Sequence, residues 1–266
     1  MSPVTAPRKQ VIKARANILA LGDALTCVPW LLALRRWREA EVYVEGPYNS
    51  SARMLVGDLP LIFERPSGVE VEDHGDVVRI QDAFELCHAG SPDLHIAQAH
   101  FVLAGMAPPA LPLRLPLRRA PSGLAPSAVI APFSLHDRGR RRQWSERAWR
   151  EVIAHLLEVR RFGVVYLIGS ADDDPTPFAC AGVVPILGRP LPQVADLLAT
   201  APMFISIDSG PSHMAHFLGQ TRHLLICSDT FGERWACNPH GRQVRAPLAE
   251  LSAGQVISVV EEMLDR

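Results

Sequence analysis

The segment Asp208-Ser209-Gly210-Pro211-Ser212-His213 concentrates groups that can hold an anion. It directly follows the apolar run at residues 203–207, so it reads as a strand that ends in a tight turn and opens straight into a helix. Ser209 or Gly210 suits the N-cap, and Pro211 suits the first helical position, where a missing N–H costs nothing. The free N–H groups and the positive end of the helix dipole then face out from the C-terminal edge of a sheet. A phosphate is the commonest occupant of such a place. His213 adds a side-chain donor within the first turn and Asp208 an acceptor at the strand end, which favours a ligand site over an ordinary strand-to-helix turn.

Two further segments leave strand ends in the same manner. Gly22-Asp23 follows the first apolar run, and a carboxylate there faces the cleft that such strands border. Asp23 could take the proton of a reacting hydroxyl as a general base, or cap the helix that follows; the residues alone leave both readings open. The stretch from Ser134 to Trp144 crowds Arg138, Arg140, Arg141 and Arg142 into five positions. Guanidinium groups clamp phosphates through paired hydrogen bonds, and this placement favours phosphate contact over a merely solvated basic loop.

Other candidate chemistries find less support. Asp172-Asp173-Asp174 would suit Mg²⁺ or Mn²⁺, but the run lies in a polar loop before Pro175 with no supporting ligand cluster, so no metal is expected. Gly169-Ser170 is not G-x-G-x-x-G, which argues against a nicotinamide cofactor. Ser209-Gly210 is not inside G-x-S-x-G, which removes the nucleophile-elbow argument for a hydrolase. His136, His155, His216, His223 and His240 have no ligand spacing. His213 and His216, three apart on one helix, read as one phosphate contact and one packing or surface residue.

The elements that must position these groups alternate. In the first part, strands are expected at residues 17–21, 42–44, 59–63 and 77–80, with helices at 24–37 and 93–103. Prolines at 108, 109, 112, 116, 121 and 126 exclude a regular helix or central strand there, so this stretch reads as a linker. Beyond it, strands are expected at 128–131, 164–168, 203–207 and 223–227. Helices are expected at 192–201, 211–218 and 253–264, with a further one capped by Ser145 whose stripe is Trp149, Val152, Ile153, Leu156 and Leu157. Strands alternating with helices imply parallel sheets covered on both faces, with ligands at strand C-terminal ends facing a cleft between two α/β lobes. The expected division is a mobile basic N-terminus at 1–16, an α/β lobe at 17–110, the proline-rich linker at 111–126, and a second α/β lobe at 127–266.

Composition fits a globular protein that acts on small molecules. The 266 residues are 48% hydrophobic and 21% charged, and the net charge of −1 argues against a protein built to coat nucleic acid. Five scattered cysteines without C-x-x-C suit neither a disulfide framework nor a zinc knuckle, so a reducing cytoplasm is the expected location. No apolar stretch reaches the roughly 18 residues of a membrane span. Arg8, Lys9, Lys13 and Arg15 form a basic lead-in without a signal-peptide pattern, leaving room for no more than weak peripheral attraction to a membrane.

Taken in order, these pieces resemble glycosyltransferase family 9, the bacterial lipopolysaccharide heptosyltransferases. The matching residues are Gly22-Asp23-Ala24-Leu25 with Pro29, then Arg142-Gln143-Trp144-Ser145-Glu146 with Trp149. Leu167-Ile168-Gly169-Ser170 with the acidic run follows, and then Asp208-Ser209-Gly210-Pro211-Ser212-His213 with Ala215 and Gly219. Phe231-Gly232 with Arg234 and Asn238-Pro239 is a weaker match. The resemblance implies a GT-B fold: two Rossmann-like lobes whose parallel sheets face a cleft, with the N-terminal lobe reduced in this chain. It implies inverting, metal-independent, cofactor-free transfer of a sugar from a nucleotide-diphosphate donor, typically ADP-heptose, to a glycan or small-molecule acceptor, in lipopolysaccharide biosynthesis. On these positions Asp23 would be the catalytic base, while Ser134, Arg142, Asp208, Ser209, Gly210 and His213 would hold the donor. Cys27 stands where a small hydroxyl residue is common. The readings to weigh against a transferase are a non-catalytic nucleotide-sugar-binding protein of the same fold and a Rossmann-type enzyme that modifies nucleotide sugars.

Overall fold

The structure is a computed structural model that describes residues 10–18, 20–91, 93–134, 143–160, 162–228 and 238–265. The chain begins with β1 (Val11–Ala16), α1 (Leu21–Trp37), β2 (Glu41–Glu45), α2 (Ser50–Val56), β3 (Leu61–Ile62), β4 (Val71–Val78), α3 (Ile80–Glu85) and α4 (Ile96–Leu103). The strands form an all-parallel sheet in the order β3-β2-β1-β4. After a stretch without helix or strand come β5 (Ala128–Ala131), α5 (Glu146–Ala154), β6 (Val165–Gly169) and β7 (Val183–Leu187). They are followed by α6 (Leu191–Thr200), β8 (Met203–Ile207), α7 (Gly210–Leu218), β9 (His223–Cys227), β10 (Arg242–Arg245) and α8 (Ala253–Leu264). These strands build a second parallel sheet in the order β10-β9-β8-β5-β6-β7. The α/β architecture with two parallel sheets is the one expected.

Both sheets reverse their winding beside their first strand, the second between β5 and β8 and the first between β1 and β4. In open α/β sheets the crevice at such a reversal, outside the strand C-termini, is where ligands bind. Ser134 follows β5, Asp208 follows β8, and Gly22-Asp23 follows β1. The order of the elements therefore puts these segments at the two switch points.

One face of the second sheet packs Ile130, Leu167, Ile205 and Ile226 against Trp149, Val152 and Ile153 of α5 and Val256 and Val260 of α8. The other face packs Val129, Tyr166 and Phe204 against Leu197 and Leu198 of α6 and Met214 and Phe217 of α7. That same apolar cluster continues into Leu25, Val28 and Leu31 of α1, Leu55 of α2, and Ile12 and Ala14 of β1. The helices α1 and α2 thus join the two sheets into one core, α1 packing on α7 and α2 on α6. The proline-rich stretch lies along this seam and is stitched to both sides. The Leu115 N–H donates to Phe217 O (3.0 Å) and the Arg118 N–H to Leu55 O (2.7 Å). The Ala120 N–H donates to Pro192 O (3.0 Å), and the Ser122 N–H to Asp196 Oδ2 (3.1 Å).

Three expectations are corrected. The first strand occupies residues 11–16, inside the expected mobile lead-in, rather than 17–21. Val-Ile-Lys-Ala-Arg-Ala alternates, with Ile12, Ala14 and Ala16 on the core and Lys13 and Arg15 on the opposite face, so its charges disguise a strand. Where helices on both faces were expected, that opposite face carries a lattice of ion pairs and no packed helix among the described residues. Lys13 reaches Glu45 (3.3 Å) and Asp73 (3.1 Å), and Arg15 pairs with the same two carboxylates. Pro211 takes the second position of its helix, because α7 starts at Gly210.

Candidate functional site

β8 is buried along its whole length and delivers Asp208, only 5% exposed, to the sheet edge. Ser209 follows in extended backbone as the N-cap of α7. Its N–H donates to Ser212 Oγ (3.3 Å), while the Ser212 hydroxyl donates back to Ser209 O (2.7 Å), closing the turn on itself. One helical turn on, His213 places Nε2 3.7 Å from Asp208 Oδ1, so an acid and a base face each other across the helix start. When protonated, His213 becomes a cation held by Asp208 beside the positive end of α7, which suits an anion carrying more than one charge.

The start of α1 abuts the start of α7. A Cβ on Gly22 would lie 2.5 Å from His213 Cδ2 and 3.0 Å from its Nε2, and a Cβ on Gly210 would lie 2.9 Å from Leu21 Cδ2. Each helix therefore carries a glycine in its first turn where the other's side chain occupies the space. Asp23, next to Gly22 and partly exposed, sits in the first turn of α1 at this contact. The helix begins at Leu21 with Ala20 as its N-cap, so the capping reading of Asp23 does not hold. Asp23 therefore stands where the N-termini of α1 and α7 meet. Ser134 lies at the C-terminal end of β5, whose neighbour β8 leads to Asp208, so the two share a sheet edge. Arg142 and the arginines before it fall outside the described residues, as do Phe231, Gly232 and Arg234.

Among the described residues, His216 and His223 serve packing. His216, fully buried, accepts a hydrogen bond from the Leu113 N–H of the linker at Nε2 (3.3 Å), stacks on Phe217 and meets the edge of His95 at 4.6 Å. Burial, followed by the charges that His213, His240 and His223 would carry, pulls its pKa down to about 3. His223 lies between the Ser206 hydroxyl (2.8 Å) and the Asn238 amide (3.2 Å), and burial pulls it to about 3 as well. No group of three or more His, Cys, Asp or Glu able to hold a metal occurs among the described residues. In the acidic run, Asp173 accepts from the Ser170 N–H and Asp174 from the Thr176 N–H, which makes them turn residues.

A separate open depression of about 670 Å³ lies at the N-terminal ends of α5 and α8, lined by Gln143, Ser145, Arg147, Ser228 and Ser252 among others. It belongs to the α5–α8 side of the sheet and touches neither Asp23 nor His213. Gly22, Gly210 and His213 were singled out from the sequence, but their meeting, and Leu21 as a member of it, were missed. A glycine in a first helical turn costs stability relative to alanine, and that is the one local hint it offered.

Two Rossmann-type parallel sheets, joined through a linker and each presenting a helix N-terminus at its switch point, define the two-lobed GT-B architecture. The chain belongs to glycosyltransferase family 9 (heptosyltransferase), whose pattern it matches over residues 109–249, more than half of its length. Solved structures agree in fold. The Escherichia coli heptosyltransferase WaaC with ADP superposes with a TM-score of 0.66 at 16% identity, over 96% of this chain and all (100%) of that one. A family 9 glycosyltransferase from Veillonella parvula gives 0.68 at 13% identity, over 96% and 97% of the two chains. The iron-containing dodecameric glycosyltransferase TibC from enterotoxigenic E. coli gives 0.66 at 19% identity. That match covers 88% of this chain and 62% of TibC, so the chain spans less than two thirds of that protein's length. A comparison with curated protein sequences found no match.

Proposed function

We propose that this chain transfers a sugar, heptose from an ADP-type donor being favoured, to an acceptor hydroxyl with inversion and without a metal. The observation that carries the reading is the contact of Gly22 with His213, because it brings the Asp23 turn to the Asp208–His213 turn. Asp23 accepts the proton of the acceptor hydroxyl as that oxygen bonds to the anomeric carbon of the sugar. The bond from that carbon to the diphosphate breaks on the opposite face, and the nucleoside diphosphate leaves with the bonding pair. One displacement of this kind inverts the anomeric centre. The N-terminus of α7, His213 and the Arg142 guanidinium stabilise the new charge on the leaving group, which makes a metal unnecessary. Ser134, Ser209 and Gly210 line the donor side, with Asp208 orienting His213. The relatives support the donor class, since WaaC was solved with ADP and TibC with ADP-D-beta-D-heptose.

The test is transfer from ADP-heptose by purified protein with a panel of glycan acceptors, alongside Asp23→Asn. Asp23→Asn is expected to lower kcat by about 10²–10⁴-fold while donor affinity stays within about two-fold. Normal transfer by this variant would overturn the base assignment. Four strands and a bare outer face in the N-terminal sheet favour a second reading, a nucleotide-sugar binder without turnover. It predicts donor binding by the wild-type chain and no product on any acceptor.

A further inference from the structure

The helix that carries Asp23 starts badly by its own resources. Its N-cap is Ala20, which offers no side-chain acceptor to the first-turn N–H groups. Pro29 lies inside it and lacks the N–H that would bond the Leu25 carbonyl, so the first two turns are short of intrahelical support. The segment Gly46-Pro47-Tyr48, which leaves the end of β2, braces the chain just before the helix and at its first turn. Gly46 adopts φ +107° and crosses so close to β1 that a Cβ there would lie 2.3 Å from Ala16 O, a path reserved for glycine. Pro47 O accepts from the Ile18 N–H (2.9 Å), and Ile18 and Tyr48 form an isolated parallel bridge. Tyr48, 5% exposed and packed against Phe63 at 5.0 Å, then passes under the helix start, and its hydroxyl donates to the Ala24 carbonyl. The Cys27 thiol donates to the same carbonyl (3.1 Å), and burial, its largest influence, pushes that thiol's pKa up to about 12, so it acts as a weak neutral donor.

We infer that Tyr48 is a positioning residue: its hydroxyl anchors the first turn of α1 through the Ala24 carbonyl and so holds Asp23 at its place opposite the start of α7. The inference rests on the transferase reading for its effect on rate, but the anchor itself is a matter of local structure. A buried tyrosine hydroxyl on a main-chain carbonyl adjoining the base fixes the base's height along the helix without touching substrate. Small displacements of a catalytic group lower rate far more than binding, because the transition state demands its position and the ground state does not.

The experiment is Tyr48→Phe in the full chain, which keeps the ring against Phe63 and removes only the hydroxyl. Amide hydrogen exchange is followed across residues 21–28, with α7 as the internal reference, and donor KM and kcat are measured with ADP-heptose over a range of pH. Expected are faster exchange in residues 21–28 by about five-fold or more, unchanged exchange in α7, a kcat lower by about ten-fold, and a donor KM within two-fold. Retention of kcat at Tyr48→Phe, or unchanged exchange in residues 21–28, would overturn the inference. A loss that appears equally in KM, or exchange that rises throughout the protein, also overturns it, since general loosening then explains the effect. If the wild-type chain transfers nothing, the transferase reading falls while exchange alone decides the anchor.

Discussion

Glycine in a first helical turn forgoes about 0.5–1 kcal/mol relative to alanine. At position 22 that choice answers to a residue far along the chain. An added methyl would lie 2.5 Å from the His213 ring, and forcing a methylene into a packed contact costs about 1–3 kcal/mol. The collision outweighs the gain in helix propensity, so Gly22→Ala is expected to destabilise the chain by about 1 kcal/mol, read by urea unfolding, and to weaken donor binding by displacing His213. In a His213→Ala background the obstruction is gone, and the same substitution should stabilise by a few tenths up to about 1 kcal/mol. A change of sign across this double-mutant cycle is the signature of the α1–α7 contact; equal effects in both backgrounds would show that the two residues do not meet. Asp23, Ser134, Asp208, Ser209 and Gly210 were legible from the sequence as strand-end residues because strand, turn and helix start are local signals. Their juxtaposition was not legible, because it depends on which helix faces pack across the lobes.

The elements divide along the same line. The strands at Ala128–Ala131, Met203–Ile207 and His223–Cys227 were plain because central parallel strands are unbroken apolar runs. β7 and β10 were not visible: Pro185 sits in β7 and Arg242-Gln243-Val244-Arg245 forms β10, and each is an edge strand, where proline and charge are tolerated. β1 was hidden for a related reason, since its outer face is paired charge. The proline-rich stretch was correctly free of helix and strand, yet prolines only exclude, and they gave no sign that this stretch would be stitched to both sheets. Leu115 decides whether the stitching matters. Its side chain is 8% exposed within the shared core and its N–H holds Phe217 O, so Leu115→Ala should cost about 2–3 kcal/mol with a single unfolding transition and an unchanged m-value. A loose tether would lose less than about 0.5 kcal/mol, the range of ordinary surface positions.

At the scale of the whole molecule, one apolar core runs through both lobes, and it contains or borders histidines that are kept neutral. His100, His216 and His223 are at most 4% exposed. Burial holds their pKa values at about 4, about 3 and about 3, against about 6.5 in an unfolded chain. A base whose folded pKa is depressed binds fewer protons in the native state, so stability is complete above about pH 6.5 and is lost as pH falls towards about 4 and then 3. Each such histidine removes about 1.4 kcal/mol per pH unit in that window, or about 2 kcal/mol at pH 5, and three together remove about 6 kcal/mol. That is comparable to the whole stability of a typical domain, about 5–15 kcal/mol. The carboxylates Asp73, Asp174 and Asp196, lowered from the ordinary 3.8 by their hydrogen-bond partners, lie near the surface and lose their small contribution only below about pH 4. Unfolding free energy measured between pH 6 and 4.5 is therefore expected to fall by about 4 kcal/mol per pH unit, the slope of three protons taken up on unfolding. His100 provides the control, because burial is the sole cause of its shift and its Nε2 has no hydrogen-bond partner among the described residues. His100→Leu should leave stability at pH 7.5 equal or higher and reduce the slope by about one third; an unchanged slope would mean that His100 is not buried as a neutral base in the folded protein.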